Sequence, residues 1–477
     1  MPAQFNRTVN APHDLPPLAL SRDAGTTLAD QLAQRLAERI SQRLLPPGAR
    51  LPSVRVAARR HALSPSTVVA AYDRLQALGL VEARRQRGFF VREPRSAHPT
   101  PALPAQQPRP IDATALIRGM FHQGLRPSPG MGALPPEWLD LPLLHGALRR
   151  TMAGDASALQ YGDPAGDLGL REALARRLAD IGVPARPAQI VTTAGATHAL
   201  DLVSRVLLEP GDSVLVDEPG WAVEFARLSR LGMRLLPVPR GPDGPDLGVM
   251  ARLAAAHRPR LYVSVSVLHN PTGCSLPPAA AHQVLLLAER HDFRIVEDDT
   301  YTHLAPPHAP RLAALDGLRR TVYISGFSKI LTPNWRIGFM AAPEPLVERC
   351  VDLKLLTSLT TPTLPERALA WCLDHGPIRR HVERVTARLD AARSTVQRLA
   401  VDAGCRFVTP PQGLFGWIDT GADTERLAQA MLDEGWLLAP GALFHATPRP
   451  TSLMRINFAT SQDPSFWKAL IAVRRHM

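Results

Sequence analysis

The residue with the most specific chemical promise on this chain is Lys329. Basic charge here is almost entirely arginine, and only Lys329, Lys354 and Lys468 are lysine. A guanidinium keeps its proton, whereas an amine can lose one and attack a carbonyl, so a lysine retained just after an apolar run is a Schiff-base candidate. Lys329 follows Val322-Tyr323-Ile324 and stands next to Ser328, and Arg336 comes seven residues later, well placed to clamp a phosphate. Four further apolar runs end in reactive or polar groups. Ile190-Val191-Thr192-Thr193 leads into Ala194-Gly195-Ala196-Thr197, whose amides open a helix and suit a phosphate. Ser213-Val214-Leu215-Val216 leads into Asp217-Glu218-Pro219-Gly220-Trp221, and Leu261-Tyr262-Val263-Ser264-Val265 is followed by Asn270-Pro271-Thr272-Gly273. Phe293-Arg294-Ile295-Val296 ends in Glu297-Asp298-Asp299-Thr300-Tyr301, and consecutive carboxylates at an apolar strand end need a cation or solvent to be tolerated.

The elements that must position these residues follow from the alternation of short apolar runs with helical stretches. That pattern predicts an α/β domain with a mainly parallel sheet and helices on both faces. Ligands bind at the strand C-termini of such sheets, so groups hundreds of residues apart in sequence gather in one cleft.

A chain of 477 residues exceeds one ordinary core, and two or three domains are expected. No apolar run approaches the roughly 18 residues of a membrane helix, and the polar start lacks a signal-peptide core. A cytoplasmic protein without membrane association is the expectation. Cys274, Cys350, Cys372 and Cys405 fit neither a disulfide framework nor a metal-ligand spacing, and read as buried free thiols. The net charge of +12 is uneven: residues 1–91 hold 13 arginines against 6 acidic residues. That asymmetry points to a polyanionic partner.

In the basic segment, Thr27 and Asp30 can cap a helix whose apolar stripe is Leu28, Leu32, Leu36, Ile40 and Leu44, ended by Pro46-Pro47-Gly48. A second short helix spans 54–61. Ser64-Pro65 opens a third running to Leu78, with Val68, Ala71, Tyr72 and Leu75 inward and Ser64, Ser66 and Thr67 exposed at its start. Leu80-Val81 and Phe89-Phe90-Val91 flank a basic tip, Arg84-Arg85-Gln86-Arg87-Gly88. Three helices and a basic hairpin make a winged helix-turn-helix, which places the third helix in a DNA groove. Between Arg92 and Asp112 six prolines make an extended linker; at about 3.1 Å per residue it could span on the order of 60 Å.

Two resemblances sharpen these readings. Pro47-Gly48-x-Arg50-Leu51-Pro52-Ser53-x-Arg55, Ser64-x-Ser66-Thr67-Val68-x-x-Ala71-Tyr72-x-x-Leu75 and Gly88-x-Phe90-Val91 resemble the GntR family over about 65 residues. The resemblance implies double-stranded DNA as partner, with Arg50 and Arg55 on phosphates, Ser64, Ser66 and Thr67 toward the major groove, and Arg87 and Gly88 at the wing tip. The tip departs from the family's Gly-Ser-Gly-Thr run. The five strand-end motifs, in register, resemble the fold-type I (aspartate aminotransferase-like) enzymes that use pyridoxal 5'-phosphate. This implies Lys329 as Schiff-base lysine, Asp298 on the pyridinium nitrogen, Asn270 and Tyr301 on the phenolic oxygen and Trp221 stacked on the ring. Gly195, Ala196, Thr197, Ser328 and Arg336 would hold the phosphate, Tyr161 would reach it from the partner subunit, and Arg455 would fork onto a carboxylate. Gly326 stands where many members carry a phosphate-binding serine, so Ser325 or Thr197 would have to compensate.

The expected organisation is a winged helix-turn-helix over 24–92, a linker over 93–113 and the aminotransferase-like domain over 114–477. In this order the parts resemble the MocR (GabR-like) family of bacterial regulators, which implies a head-to-tail homodimer sensing an amino acid or amine, or the cofactor alone. The alternative is a working aminotransferase with an appended DNA-binding head.

Overall fold

The computed structural model describes residues 20, 26–41, 45, 47–84, 87–92, 113–119, 126, 128–152 and 159–477. The expected linker therefore lies outside the described residues, except for its last residue, Ala113. The chain divides into two compact units, Met1–Arg109 and Pro110–Met477.

In the first unit α1 (Leu28–Ser41) starts as expected, the Asp30 amide donating to Thr27 Oγ1 at 3.2 Å. Leu44, the last expected member of its stripe, lies outside the described residues. α2 (Val54–His61) is capped by Ser53, and α3 (Pro65–Ala77) by Ser64, whose Oγ accepts from the Thr67 amide at 3.1 Å. Such caps are each worth about 1 kcal/mol, because they satisfy amides the helix itself leaves bare. Val68, Ala71, Tyr72 and Leu75 pack with Leu32, Leu36 and Leu51 in one core, and Tyr72 donates to the Pro52 carbonyl at 2.9 Å. β1 (Val81–Arg84) and β2 (Gly88–Val91) form the antiparallel wing. Residues 85 and 86 of its tip lie outside the described residues.

The second unit opens with α4 (Ala113–Gly119), α5 (Leu141–Met152) and α6 (Leu168–Asp180). Its main sheet takes β3 (Ile190–Thr193), β4 (Ser213–Glu218), β5 (Arg234–Gly241), β6 (Gly244–Pro245), β7 (Leu261–Ser264), β8 (Arg294–Asp298), β9 (Thr321–Gly326) and β10 (Gly338–Ala341). The order is β3-β10-β9-β8-β7-β4-β5-β6. The parallel pairs β5-β4-β7-β8-β9 are the expected core of the sheet. β10 was not anticipated: it runs antiparallel to both β9 and β3. It is the return stroke after the Lys329 loop, and it brings Arg336 beside the segment that follows β3.

Between the strands lie α7 (Ala196–Leu207), α8 (Ala222–Arg230), α9 (Leu247–His257), α10 (Pro278–His291) and α11 (Leu312–Asp316), with α12 (Glu344–Thr357) after β10. Alternating strand residues face opposite layers, the period-2 consequence of the pleat. Val214 and Val216 pack with Leu200, Val203 and Phe225 of α7 and α8, while Leu215, Tyr262 and Ile295 pack with Met250, Val284 and Leu287 of α9 and α10. Burying each such side chain contributes about 1.5–3 kcal/mol, which is why both faces must be covered.

α13 (Thr363–Asp374) and the long α14 (Pro377–Asp402) lead to a smaller sheet, β11 (Arg406–Phe407), β12 (Phe415–Asp419), β13 (Ala439–Pro440) and β14 (Leu453–Asn457). Its order is β11-β12-β14-β13, covered by α15 (Thr424–Asp433) and α16 (Pro464–Arg475). All four cysteines are free and buried, as expected. No described helix is long and apolar enough to cross a membrane.

Candidate functional site

A cavity of about 270 Å³ opens at the C-terminal ends of β7, β8 and β9 and collects nearly every candidate from those strand ends. Lys329, in the β9–β10 loop, donates from Nζ to the Gly132 carbonyl at 2.5 Å. Burial, helped by the Arg455 and Arg336 guanidinium groups, pulls its amine down to about 8 against the opposing pull of Asp298. Such an amine gives up its proton far more readily than a surface lysine.

The three carboxylates at the end of β8 have separate fates. Glu297 is held by Ser266 and by the amides of Leu312 and Ala313 at 2.7 and 2.8 Å. Asp299 takes Arg311 Nε at 2.6 Å and the Tyr323 hydroxyl at 2.9 Å. Asp298 alone faces the cavity. Among the described residues its Oδ1 accepts only from the hydroxyl and amide of Thr300, and burial, with Glu224 and Asp299 adding repulsion, pushes its carboxyl up to about 6. A buried carboxylate without a cation is costly, so a cationic ligand placed against it would be favoured. Tyr301 packs edge-on against Phe415 with centroids 5.5 Å apart, and its hydroxyl pKa is pushed up by burial. Asn270 and Trp221 complete this part of the lining.

The anion end lies where α7 begins. Gly195 caps that helix at φ 86°, with no side chain bonded to the first-turn amides. The close approach requires glycine: a Cβ there would lie 2.5 Å from Arg336 Nη2. Arg336 donates to the Ala194 carbonyl at 2.9 Å and to Ser328 Oγ at 3.4 Å. Ala196, Thr197, Ser328 and Arg336 line the cavity, and Gly195 sits behind them. Ser325 is spent on the Asp299 carbonyl at 2.9 Å, so of the two residues named to offset Gly326 only Thr197 is available.

Arg455, on β14, is only 4% exposed. Its Nη2 donates to the Gly130 and Met131 carbonyls at 2.6 and 3.4 Å, its Nη1 reaches Asn270 Oδ1 at 3.5 Å, and among the described residues its Nε has no partner. The guanidinium lies 4.5 Å from the Phe415 ring centroid and 5.5 Å from that of Phe444. Among the described residues no carboxylate pairs with it, and burial lowers it to about 10. A guanidinium fork has the geometry to pair with a carboxylate through two parallel hydrogen bonds. Tyr161 is not in this cavity: it is 83% exposed, on a segment whose Gly162 packs against Thr363.

In the DNA-facing head, Arg50 and Arg55 are exposed, and the Arg50 side chain lies over Gly88, as its backbone bridges to Phe90. Arg87 and Gly88 are exposed beside the tip. Ser64 Oγ is shared among Ser66 Oγ at 2.8 Å, Thr67 Oγ1 at 2.7 Å and the Thr67 amide. Sequence reasoning missed Val69, 42% exposed, and Ala70 on the same face, and Arg84 stacked over Phe90 at 4.7 Å. It also missed Phe415, Phe444, Leu116 and Ile117 in the cavity.

Residues 143–470 match the family described as aminotransferase class I and II, and residues 28–91 match the bacterial regulatory proteins of the gntR family. Several relatives align over most of both parts, two of them as follows. The HTH-type transcriptional regulator TauR of Rhodobacter capsulatus is 31% identical over 83% of this chain and 85% of its own. The probable rhizopine catabolism regulatory protein MocR of Rhizobium meliloti is 30% identical over 80% of this chain and 78% of its own. The chain belongs to the MocR-like subfamily of GntR transcriptional regulators. As in that subfamily, a GntR DNA-binding domain is fused to an aminotransferase-like domain. For the latter, the α-aminoadipate aminotransferase LysN of Thermus thermophilus, solved with N-(5'-phosphopyridoxyl)-L-leucine, superposes with a TM-score of 0.68 at 27% identity, covering 75% of this chain and 95% of that one. Pyridoxal phosphate is the cofactor of this fold, and the MocR-like cavity here fits it: an amine, an unpaired carboxylate and an uncapped helix N-terminus with a guanidinium beside it.

Proposed function

We propose that this chain is a cytoplasmic transcriptional regulator that binds double-stranded DNA through Arg50, Arg55, Ser64, Ser66, Thr67, Arg87 and Gly88. Its large domain senses an amino acid or amine at the cofactor site. The observation that carries this reading is Arg455, a buried guanidinium without a carboxylate, in the same cavity as Lys329 and Asp298. A sensor of the cofactor alone has no use for it.

Pyridoxal phosphate, when bound, supplies an aldehyde that an amine can condense with and a ring that withdraws electrons. The residues of this chain do the rest. Lys329 offers an amine whose proton is easily shed and would hold the cofactor's aldehyde carbon. Asp298 holds the ring nitrogen's proton. Asn270 and Tyr301 orient the phenolic oxygen, and Trp221 covers the ring face. Gly195, Ala196, Thr197, Ser328 and Arg336 receive the phosphate. Arg455 fixes the carboxylate, so the effector is held at two points and can favour one arrangement of the protein over another.

The working partner is a second copy of this chain in a head-to-tail homodimer. Exposed Leu159, Tyr161, Leu356 and Leu359 support an apolar contact there, with Tyr161 entering the partner's site. The domain division proposed is a head over 24–92, a linker over 93–113 and a sensor over 114–477. The test is a reporter driven by the protein's target promoter, read with and without amino acids, alongside an assay for keto-acid release. An amino-acid response without multiple turnover supports the regulator; rapid turnover with no change in transcription supports the aminotransferase alternative.

A further inference from the structure

We infer that the effector is an amino acid with a neutral, apolar side chain, seated against a wall formed by Leu116, Ile117, Val223 and Phe444. This rests on the sensor reading above and narrows it to a ligand class. Among the described residues, the charged groups lining the cavity are Lys329, Arg336, Arg455 and Asp298, and each has a place. Arg336 is turned to Ala194 and Ser328 at the anion end, Asp298 is bonded to Thr300 at the end of β8, and Arg455 lines the cavity with its Nη2 on the Gly130 carbonyl and its Nη1 on Asn270. Beside Arg455, Asn270 and Tyr301 are the polar groups that the sensor reading assigns to the cofactor, and the rest of the described lining there is apolar. Phe444, under the guanidinium, belongs to a cluster with Leu116 and Ala222, and Ile117 and Val223 extend the same surface.

This wall is part of the fold rather than a loose cover. Leu116 is nearly fully buried, and a Cβ on Gly119 would lie 2.8 Å from Leu437 Cδ1, so the end of α4 is seated flush on that side chain. A ligand whose carboxylate lies on Arg455 therefore presents its side chain to hydrocarbon. Among the described residues of this wall, a second carboxylate would lose water and meet no cation, and an ammonium would lose water and meet no carboxylate. Each methylene buried in its place should instead tighten binding about fourfold.

The experiment is calorimetric titration of the full-length, pyridoxal phosphate-loaded protein with L-leucine, L-alanine, L-glutamate, L-lysine and putrescine, for the natural chain and for Ile117→Arg. Ile117 is only partly buried, so the substitution tests the wall without emptying the core. The expected result is leucine at least tenfold tighter than alanine, with glutamate, lysine and putrescine weakest. In Ile117→Arg, leucine should weaken and glutamate strengthen, each by about tenfold, which a purely structural side chain would not produce. Glutamate or lysine binding tighter than leucine overturns this inference and leaves the amino-acid sensor standing; putrescine binding tightest overturns this inference and the carboxylate role of Arg455 with it, and leaves an amine sensor. An Ile117→Arg protein with the natural preference overturns the placement of the wall. No heat with any of the five compounds, while absorbance shows the cofactor in place, overturns both this inference and the sensor reading beneath it.

Discussion

Replacing Arg455 by Gln should separate binding of the cofactor from recognition of the effector. The guanidinium is buried, spends Nη2 on the Gly130 carbonyl at 2.6 Å and leaves Nε unsatisfied, and among the described residues no carboxylate pairs with it. A charge-assisted pair contributes about 1.5–3 kcal/mol, which is about 10- to 150-fold in affinity. The same difference suffices to shift a two-state population by at least tenfold. The assay compares leucine with isoamylamine, the same skeleton without the carboxylate, on the loaded natural protein and on Arg455→Gln. Leucine should lose about 10- to 150-fold and isoamylamine almost nothing, while the visible absorbance of the bound cofactor stays. If both ligands weaken equally, or neither does, Arg455 is a structural group holding Gly130 and the reasoning fails.

Three other outcomes follow from the geometry. Lys329→Ala should abolish borohydride-fixed pyridoxal label, because Lys354 is fully buried on the Thr192 carbonyl at 2.9 Å; peptide mapping that finds label on Lys354 or Lys468 would refute the assignment. In the head, Arg50→Ala and Arg55→Ala should each lower the log–log salt dependence of duplex binding by about 0.9, whereas Thr67→Ala should change sequence preference and leave that slope alone. Burial pulls the Lys354 amine from 10.5 down to about 8. Between those pH values the unfolded chain binds the extra proton, so stability should rise with pH by up to about 3 kcal/mol. Denaturation midpoints across that range, in a Lys329→Ala background that removes the other shifted amine, should show a flatter pH slope once Lys354→Met is added.

The strand-end groups were legible because each couples a chemically unusual residue to an apolar run that only a sheet explains: Lys329 after Val322-Tyr323-Ile324, Asp298 after Phe293-Arg294-Ile295-Val296. The head was legible for a similar reason, since Ser64-Pro65 and Thr27 mark helix starts by their own hydrogen-bonding chemistry. The cavity's apolar wall gave no such signal. Leu116, Ile117, Phe415 and Phe444 are ordinary core-type residues, and nothing local distinguishes a side chain facing a ligand from one facing another helix. β10 was missed because Gly338-Phe339-Met340-Ala341 is four apolar residues with no alternation, and its antiparallel direction is fixed by the β9 and β3 edges it fills. The buried pairing of Lys354 with Thr192 and Thr361 was equally silent, as it joins residues 162 and 7 positions apart.

The central claim, that an amino acid bound at the cofactor site controls DNA binding, has one direct measurement. Fluorescence anisotropy would follow full-length loaded protein on a duplex that the protein itself selects from a random library, as L-leucine is added, for the natural chain and for Lys329→Ala. The account predicts that leucine changes duplex affinity of the natural protein and has no effect on Lys329→Ala, which still binds the duplex. A duplex affinity that leucine leaves unchanged in the natural protein, with cofactor bound and keto acid accumulating over many turnovers, would contradict it.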